Sequence, residues 1–116
     1  MIGAPNMNEE LIKMILAFRE ERNWEQFHNP KDLAISLSLE VSELLENFQW
    51  KTSAEAVLHK KADIADELAD VLVYAVYLAD ALNLDIEDII RSKMRQNAAK
   101  YPVDKAYGKR EKYTEL

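Results

Sequence analysis

The sequence contains no cysteine, which excludes disulfide bonds and every metal site that needs thiolate ligands. With two histidines and no cysteine, a structural zinc site cannot be assembled. The 116 residues include only two glycines and three prolines, and so few helix-breaking residues are typical of an all-helical protein. The chain is long enough for one domain around a single core.

Basic charge is also in short supply. Fifteen Lys and Arg residues face 21 Asp and Glu residues, for a formal net charge of -6. An acidic surface repels phosphate backbones and anionic headgroups, so we expect neither a nucleic acid polymer nor a membrane as a partner. No apolar run reaches the roughly 18 residues that span a bilayer, and the N-terminus lacks the pattern of a signal peptide. We therefore expect a cytoplasmic protein.

Hydrophobic periodicity predicts four helices that form a bundle. They span about residues 8–22, 30–48, 64–82 and 86–100. Asn8, Asn29 and Asp85 are the expected N-caps, Pro30 takes the first position of the second helix, and Asn83 stops the third.

The third helix should be the buried centre of this bundle, because residues 71–79 are apolar on nearly all sides. Residues 50–63 are predicted as a connection with room for a short helical turn. We expect one domain over residues 1–116, with an ordered core of about 8–102 and a polar C-terminal tail, 103–116.

Two pairs of acidic residues lack basic partners. Glu40 and Glu43 lie three residues apart on the second helix, and Glu67 and Asp70 do the same on the third. A solvated helix face usually carries Lys or Arg four residues after a Glu. The corresponding positions here hold Leu44, Asn47, Val71 and Tyr74. A solvated charged face is still the common explanation for helical glutamates and stays the alternative.

Antiparallel packing of these two helices would bring the four carboxylates together. Two like charges 4 Å apart repel by roughly 4 kcal/mol at an effective dielectric of 20, so such a site takes up protons or binds a cation. Ligands that are all oxygen favour Mg²⁺, Mn²⁺ or Ca²⁺ over zinc. A di-iron site fits poorly, because it adds a histidine three residues after a glutamate, and His28 and His59 lie outside both pairs.

The sequence resembles the MazG-like all-α nucleoside triphosphate pyrophosphohydrolases, in particular the dCTP pyrophosphatase branch. The E-x-x-E and E-x-x-D pairs mark the wider family, and W-x-x-F-H at 24–28, FQW at 48–50 and KYP at 100–102 are more specific. The resemblance implies Mg²⁺-dependent hydrolysis, with Mn²⁺ able to substitute, of dCTP or a modified dCTP to the monophosphate and pyrophosphate. It also implies a homodimer or homotetramer of MazG-like four-helix bundles.

The same resemblance assigns roles to individual residues. Metal binding and catalysis fall on Glu40, Glu43, Glu67 and Asp70. The base pocket falls on Trp24, Phe27, His28, Trp50 and Tyr74, and phosphate binding on Lys93, Asn97, Lys100 and Tyr101. Taken alone, the aromatic residues are more commonly explained by core packing, and the polar and basic residues of the fourth helix by an ordinary helix C-terminus. The alternative function is a helical module that senses nucleotides or binds a partner without turnover.

Two positions depart from the family pattern. Leu39 stands where many members carry an additional acid before Glu40, a departure that the dCTP branch shares. Ile15 stands nine residues before Trp24, where animal members carry a histidine of the base pocket. These departures leave the base and sugar preference open. The role of Glu46, which continues the acidic stripe less well, is also open.

Overall fold

A computed structural model describes residues 7–116, apart from the side chain of Met7. Every regular element in this range is helical, which confirms the predicted all-α class. The elements are α1 (Met7–Glu21), a 3-10 turn (Trp24–Phe27), α2 (Pro30–Glu46), α3 (Ser53–Ala81), α4 (Ile86–Lys100), α5 (Val103–Ala106) and a second 3-10 turn (Tyr113–Glu115). The chain divides into a first compact unit that ends at Asn83 and a second unit, Leu84–Leu116. No helix within residues 7–116 combines the length and hydrophobicity needed to cross a bilayer.

A capping residue explains where α2 begins. Asn29 Oδ1 accepts a hydrogen bond from the backbone N–H of Asp32 at 2.9 Å, and Pro30 is the first helical residue, as predicted. α2 ends at Glu46 rather than at the predicted Phe48, and residues 47–50 form turns. The prediction that Asn8 caps α1 is wrong, since the helix already begins at Met7 and Asn8 lies in its first turn.

The third helix begins at Ser53 rather than near residue 64. Thr52 Oγ1 accepts a hydrogen bond from the backbone N–H of Glu55 at 3.1 Å, which caps a segment that the sequence pattern suggests is a connection. Lys60 has non-helical dihedral angles (φ -127°, ψ 16°) and kinks the helix. The kink interrupts the helical spacing of the apolar residues, so the pattern of residues 64–82 does not continue into residues 53–59 and gives no sign that they are helical. Asn83 adopts a left-handed φ of 55° and stops the helix as predicted.

The second unit begins as predicted and then departs from the expected tail. Asp85 Oδ1 accepts a hydrogen bond from the backbone N–H of Asp88 at 3.0 Å, and α4 has the predicted bounds. Residues 103–116, predicted as a polar tail outside the ordered core, contain α5 and a 3-10 turn. The Tyr113 ring lies edge-on to Tyr101, with 5.9 Å between centroids. This ring contact folds the tail back onto the end of α4.

The first unit has a small core between α2 and α3, its main packing pair. Its buried apolar residues are Leu33, Ala56, Val76, Tyr77 and Ala79. The segment 71–79 supplies three of these, but Leu72 remains 59% exposed, so the predicted buried centre is only partly buried. Val41 on α2 and Leu68 on α3 are 47% and 48% exposed. The single chain therefore leaves much of its apolar surface accessible.

Candidate active site

The carboxylates of α2 and α3 meet where the two helices pack. One carboxylate oxygen from each of Glu40, Glu67 and Asp70 lies within 4.8 Å of the others. The three-residue spacing keeps Glu67 and Asp70 on one face of α3, opposite Glu40 of α2. The structure thus brings three of the four predicted acids close enough to share one cation.

Glu43, the fourth predicted acid, lies beside this group of three. Its carboxylate is within hydrogen-bonding reach of the side chains of Glu40 and Glu67. It sits one turn along α2 from Glu40, on the same face. Glu43 therefore links the two carboxylates that come from different helices.

The local electrostatics of this cluster favour a proton or a cation. Burial of its carboxylate, followed by repulsion from Glu43, raises the pKa of Glu40 to about 7. Burial, followed by the neighbouring Glu43 carboxylate, also raises the pKa of Glu67. Glu40 Oε2 and Glu67 Oε2 are buried and have no hydrogen-bond partner. Buried, unpaired carboxylate oxygens are costly, and this all-oxygen donor set fits a hard divalent cation.

Tyr74 connects the acids to a cluster of aromatic rings. Burial and then the charges of Glu40 and Asp70 raise the pKa of its phenol, since these anions disfavour a phenolate. Its ring lies edge-on to Tyr77, with 5.7 Å between centroids, and Tyr77 lies 5.0 Å from the His28 ring. Two predicted base-pocket residues, Tyr74 and His28, therefore share one aromatic surface through Tyr77.

A buried arginine that the sequence reasoning missed supports this aromatic surface. Arg19 is 2% exposed, and its Nη1 lies 2.9 Å from Asp80 Oδ2. The guanidinium carbon is 5.7 Å from the centre of the Tyr77 ring, and the Tyr77 hydroxyl donates a hydrogen bond to the Ile15 carbonyl at 3.2 Å. Burial, and then the charge of Arg19, lowers the pKa of His28. The sequence does contain a signal for Arg19, which lies four residues after Ile15 on the apolar face of α1. An arginine in that position is expected to be buried and to need an acidic partner.

In the part of the chain that the structure describes, Trp24, Phe27 and Trp50 make no ring contact with His28, Tyr74 or Tyr77. The Trp24 ring meets Phe18 edge-on, with 5.7 Å between centroids, and Phe27 is 65% exposed. Trp50 is 92% exposed at a left-handed backbone position with φ 62°. Within residues 7–116, no ring contact joins Trp50 to another aromatic side chain. All three side chains are exposed, and their stacking role stays a prediction.

The predicted phosphate ligands lie in the second unit. Lys93, Asn97 and Lys100 are spaced four and three residues apart and so share one face of α4. Lys93 is exposed, and the Lys100 ammonium lies 5.0 Å above the Tyr113 ring. Tyr101 ends the helix, with its backbone N–H bonded to the Asn97 carbonyl at 2.8 Å. These contacts give Lys100 and Tyr101 a structural function within this unit.

A cleft of about 540 Å³ opens beside the acid cluster. Its lining residues come from the end of α2, the turn that follows it, and the kinked part of α3; they are Glu43, Glu46, Asn47, Lys51, Lys60, Asp63, Asp66 and Glu67. Glu43 and Glu67 therefore belong to both the cleft and the acid cluster. Sequence reasoning had no signal for Lys51 or Lys60, because their place in the cleft depends on an unpredicted stretch of α3.

Comparison with known proteins agrees with these features. The MazG-like family model matches residues 35–116, more than half of the chain. The dCTP pyrophosphatase 1 proteins of Rattus norvegicus and Homo sapiens are each 41% identical to this chain over 93% of its length and 66% of theirs. The chain thus spans about two thirds of the length of these curated relatives. A pyrophosphatase structure from Archaeoglobus fulgidus is similar, with a TM-score of 0.80 and 38% identity, over 88% of this chain and 98% of that one. The chain belongs to the MazG-like family.

Proposed function

We propose that this protein hydrolyses a nucleoside triphosphate, namely dCTP or a modified dCTP, to the monophosphate and pyrophosphate. The observation that carries the proposal is the meeting of Glu40, Glu67 and Asp70, with two carboxylate oxygens buried and unpaired. Similarity to dCTP pyrophosphatase 1 and to an archaeal pyrophosphatase supports the choice of reaction and substrate. Such an activity would remove surplus or modified nucleotides from the nucleotide pool.

Mg²⁺ is the cation that we propose for the acid cluster, with Mn²⁺ able to substitute. Mg²⁺ takes hard oxygen ligands and commonly combines one or two carboxylates with water and substrate phosphates. Glu40, Glu67 and Asp70 would hold it, and Glu43 would complete the set. When bound, the cation would neutralise charge on the phosphates and lower the pKa of water at the site.

The chain's own residues would orient the ligands and the base. Glu43, within reach of both Glu40 and Glu67, would fix the orientation of their carboxylates. The His28 and Tyr74 rings, which are partly exposed and both packed against the buried Tyr77, offer ring faces and edges for a pyrimidine. Because the pKa of His28 is lowered, its imidazole is neutral at pH 7 and offers one donor and one acceptor.

Phosphate binding by α4 belongs to the same proposal. Lys93, Asn97 and Lys100 lie on one helical face, and two ammonium groups with an amide can contact several phosphate oxygens. Tyr101 would add a phenolic donor. Trp24 and Trp50 would stack on the base. The Trp50 side chain is 92% exposed, so its ring faces are accessible to a base.

The test compares Glu43→Gln and Asp70→Asn with wild type on a panel of canonical and modified triphosphates in Mg²⁺. Chromatography measures the monophosphate, and circular dichroism checks the fold. Both variants should release no product while they keep the helical spectrum, because each loses a carboxylate of the cluster. Glu111→Gln, which removes one charge from an exposed position in the second unit, is the matched control and should stay active.

Two results would count against the proposal. Full activity in either variant would remove that residue from the metal-binding set. Wild-type protein that hydrolyses nothing in the panel, yet binds a nucleotide tightly, would instead favour the alternative, a nucleotide-sensing module.

We also propose that the protein is a homodimer or homotetramer. Ile35 and Leu39 on α2 are 52% and 58% exposed, and Leu68 and Leu72 on α3 are 48% and 59% exposed. Each pair is spaced by four residues and forms a row along its helix, and contiguous apolar patches of this kind mark association surfaces. Sedimentation velocity should show an oligomer that Leu72→Glu dissociates and that Leu58→Glu, outside both rows, does not. A monomeric wild type would contradict this assembly.

A further inference from the structure

Two lysines beside the acid cluster have only weak partners. Lys51 Nζ donates to the Gln49 carbonyl at 3.4 Å, and Lys60 Nζ lies 3.9 Å from Asp63 Oδ2. Strong N–H···O hydrogen bonds are about 2.7–3.2 Å long, so both contacts are long. An ammonium group has three N–H donors. Each lysine therefore has donors available for a further anionic ligand.

Both lysines line the cleft of about 540 Å³ that also contains Glu43 and Glu67. Lys51 follows the C-terminal end of α2, and Lys60 is the residue at which α3 is kinked. The other charged residues of the lining are all acidic. Positive charge in this cleft is thus confined to these two side chains, next to carboxylates of the acid cluster.

We propose that Lys51 and Lys60 bind the β and γ phosphates of the substrate, the part that leaves as pyrophosphate. This inference rests on the proposed hydrolysis. Glu43 and Glu67 line the cleft and also belong to the acid cluster, so a triphosphate whose α phosphate lies at the cluster can extend its other two phosphates into the cleft. The volume falls within the range of ligand sites, about 300–1,000 Å³. Lysine binds phosphate as a point charge and needs no planar geometry.

The acidic residues of the same cleft give this arrangement a second property. Glu46 and Asp66 line it together with the lysines, and their charges oppose an anion that lacks a cation. Pyrophosphate should therefore bind well with Mg²⁺ and poorly without it. A product held in this way departs when its cation departs.

The experiment measures inorganic pyrophosphate and dCMP binding by isothermal titration calorimetry, with and without Mg²⁺, in Lys51→Met and Lys60→Met. Losing a charged hydrogen-bond donor should weaken pyrophosphate binding in Mg²⁺ by about tenfold or more, while dCMP binding should not change. KM for dCTP should rise in both variants. Lys61→Met is the matched control, because Lys61 adjoins Lys60 and is exposed but does not line the cleft. Lys51→Arg and Lys60→Arg keep the charge and should restore most of the affinity.

Three results would overturn the inference. One is unchanged pyrophosphate affinity in Lys51→Met and Lys60→Met, the second is an equal loss in Lys61→Met, and the third is a loss of dCMP binding as large as that of pyrophosphate. If Lys60→Met loses its helical spectrum, Lys51→Met decides the question, since Lys51 lies outside the helices. Failure of the proposed hydrolysis looks different, because wild type would then release no pyrophosphate from any triphosphate.

Discussion

Protonation of Glu40 should compete with metal binding near neutral pH. Burial and the Glu43 charge raise the pKa of Glu40 to about 7, whereas an unperturbed glutamate has a pKa of about 4.3. A carboxylate must be deprotonated to bind a metal ion. One unit below its pKa the group is about nine-tenths protonated, so Mg²⁺ affinity at pH 6 should be about tenfold weaker than at pH 8. Binding should release about one proton per ion at pH 6 and almost none at pH 8.

The same pKa fixes the sign of the stability change in the metal-free protein. A carboxyl whose pKa is higher in the folded state stabilises the fold fully below its unfolded pKa, and the contribution is lost as pH rises through the folded value. The metal-free protein should therefore have a lower melting temperature at pH 8 than at pH 6. Mg²⁺ should raise the melting temperature at pH 8, because it binds the folded state.

Glu40→Gln is the perturbation that separates these effects. Glutamine is neutral at every pH, so this variant should lose most of the pH dependence of its melting temperature and should bind Mg²⁺ weakly. Glu111→Gln should behave as wild type. Calorimetry in buffers of different ionisation enthalpy measures the protons released, and circular dichroism measures the melting temperature. Mg²⁺ affinity that is flat between pH 6 and pH 8, together with a melting temperature that does not fall as pH rises, would refute the reasoning.

Two further predictions concern Arg19 and Trp50. Arg19→Met should lower the free energy of unfolding, measured by urea denaturation, by about 2 kcal/mol. The loss is limited because its partner Asp80 is 40% exposed. The pKa of His28, followed by NMR, should rise in this variant because the arginine charge that lowers it is gone. No change in either quantity would deny Arg19 its supporting function. Trp50→Ala should change the unfolding free energy by less than about 0.5 kcal/mol, because the side chain is 92% exposed, but it should weaken dCTP binding in calorimetry by about 1–3 kcal/mol if the indole stacks on the base. Unchanged dCTP affinity would exclude Trp50 from the base pocket.

The parts of the fold that sequence could predict are those with local causes. Asn29 and Asp85 cap their helices through hydrogen bonds that span three residues, so the signal is contained in the sequence around each cap. Thr52 has the same kind of cap, but the kink at Lys60 breaks the apolar period after it. The sequence pattern therefore indicated a connection where the structure has about three turns of helix.

The candidate site divides in the same way. The meeting of Glu40 with Glu67 and Asp70 follows from acid pairs on two helices that pack, and both the spacing and the packing stripe can be read from the sequence. The pairing of Arg19 with Asp80 joins residues far apart in the chain, and no local pattern names the partner. Lys60 lines the cleft at the residue where α3 is kinked, and no rule of residue spacing predicts that kink.

The polar clasp between α1 and α3, made by Arg19 with Asp80 and by Tyr77 with the Ile15 carbonyl, has a consequence for ligand binding. Such contacts are directional and short in range, so they are lost when α1 moves away from α3. The clasp holds Tyr77, and Tyr77 joins His28 to Tyr74. The arrangement of these three rings therefore depends on α1 being docked. If these rings bind the base, as proposed, the apparent nucleotide dissociation constant is the intrinsic value divided by the docked fraction of molecules. The attachment of the first helix would then contribute to the affinity for the nucleotide.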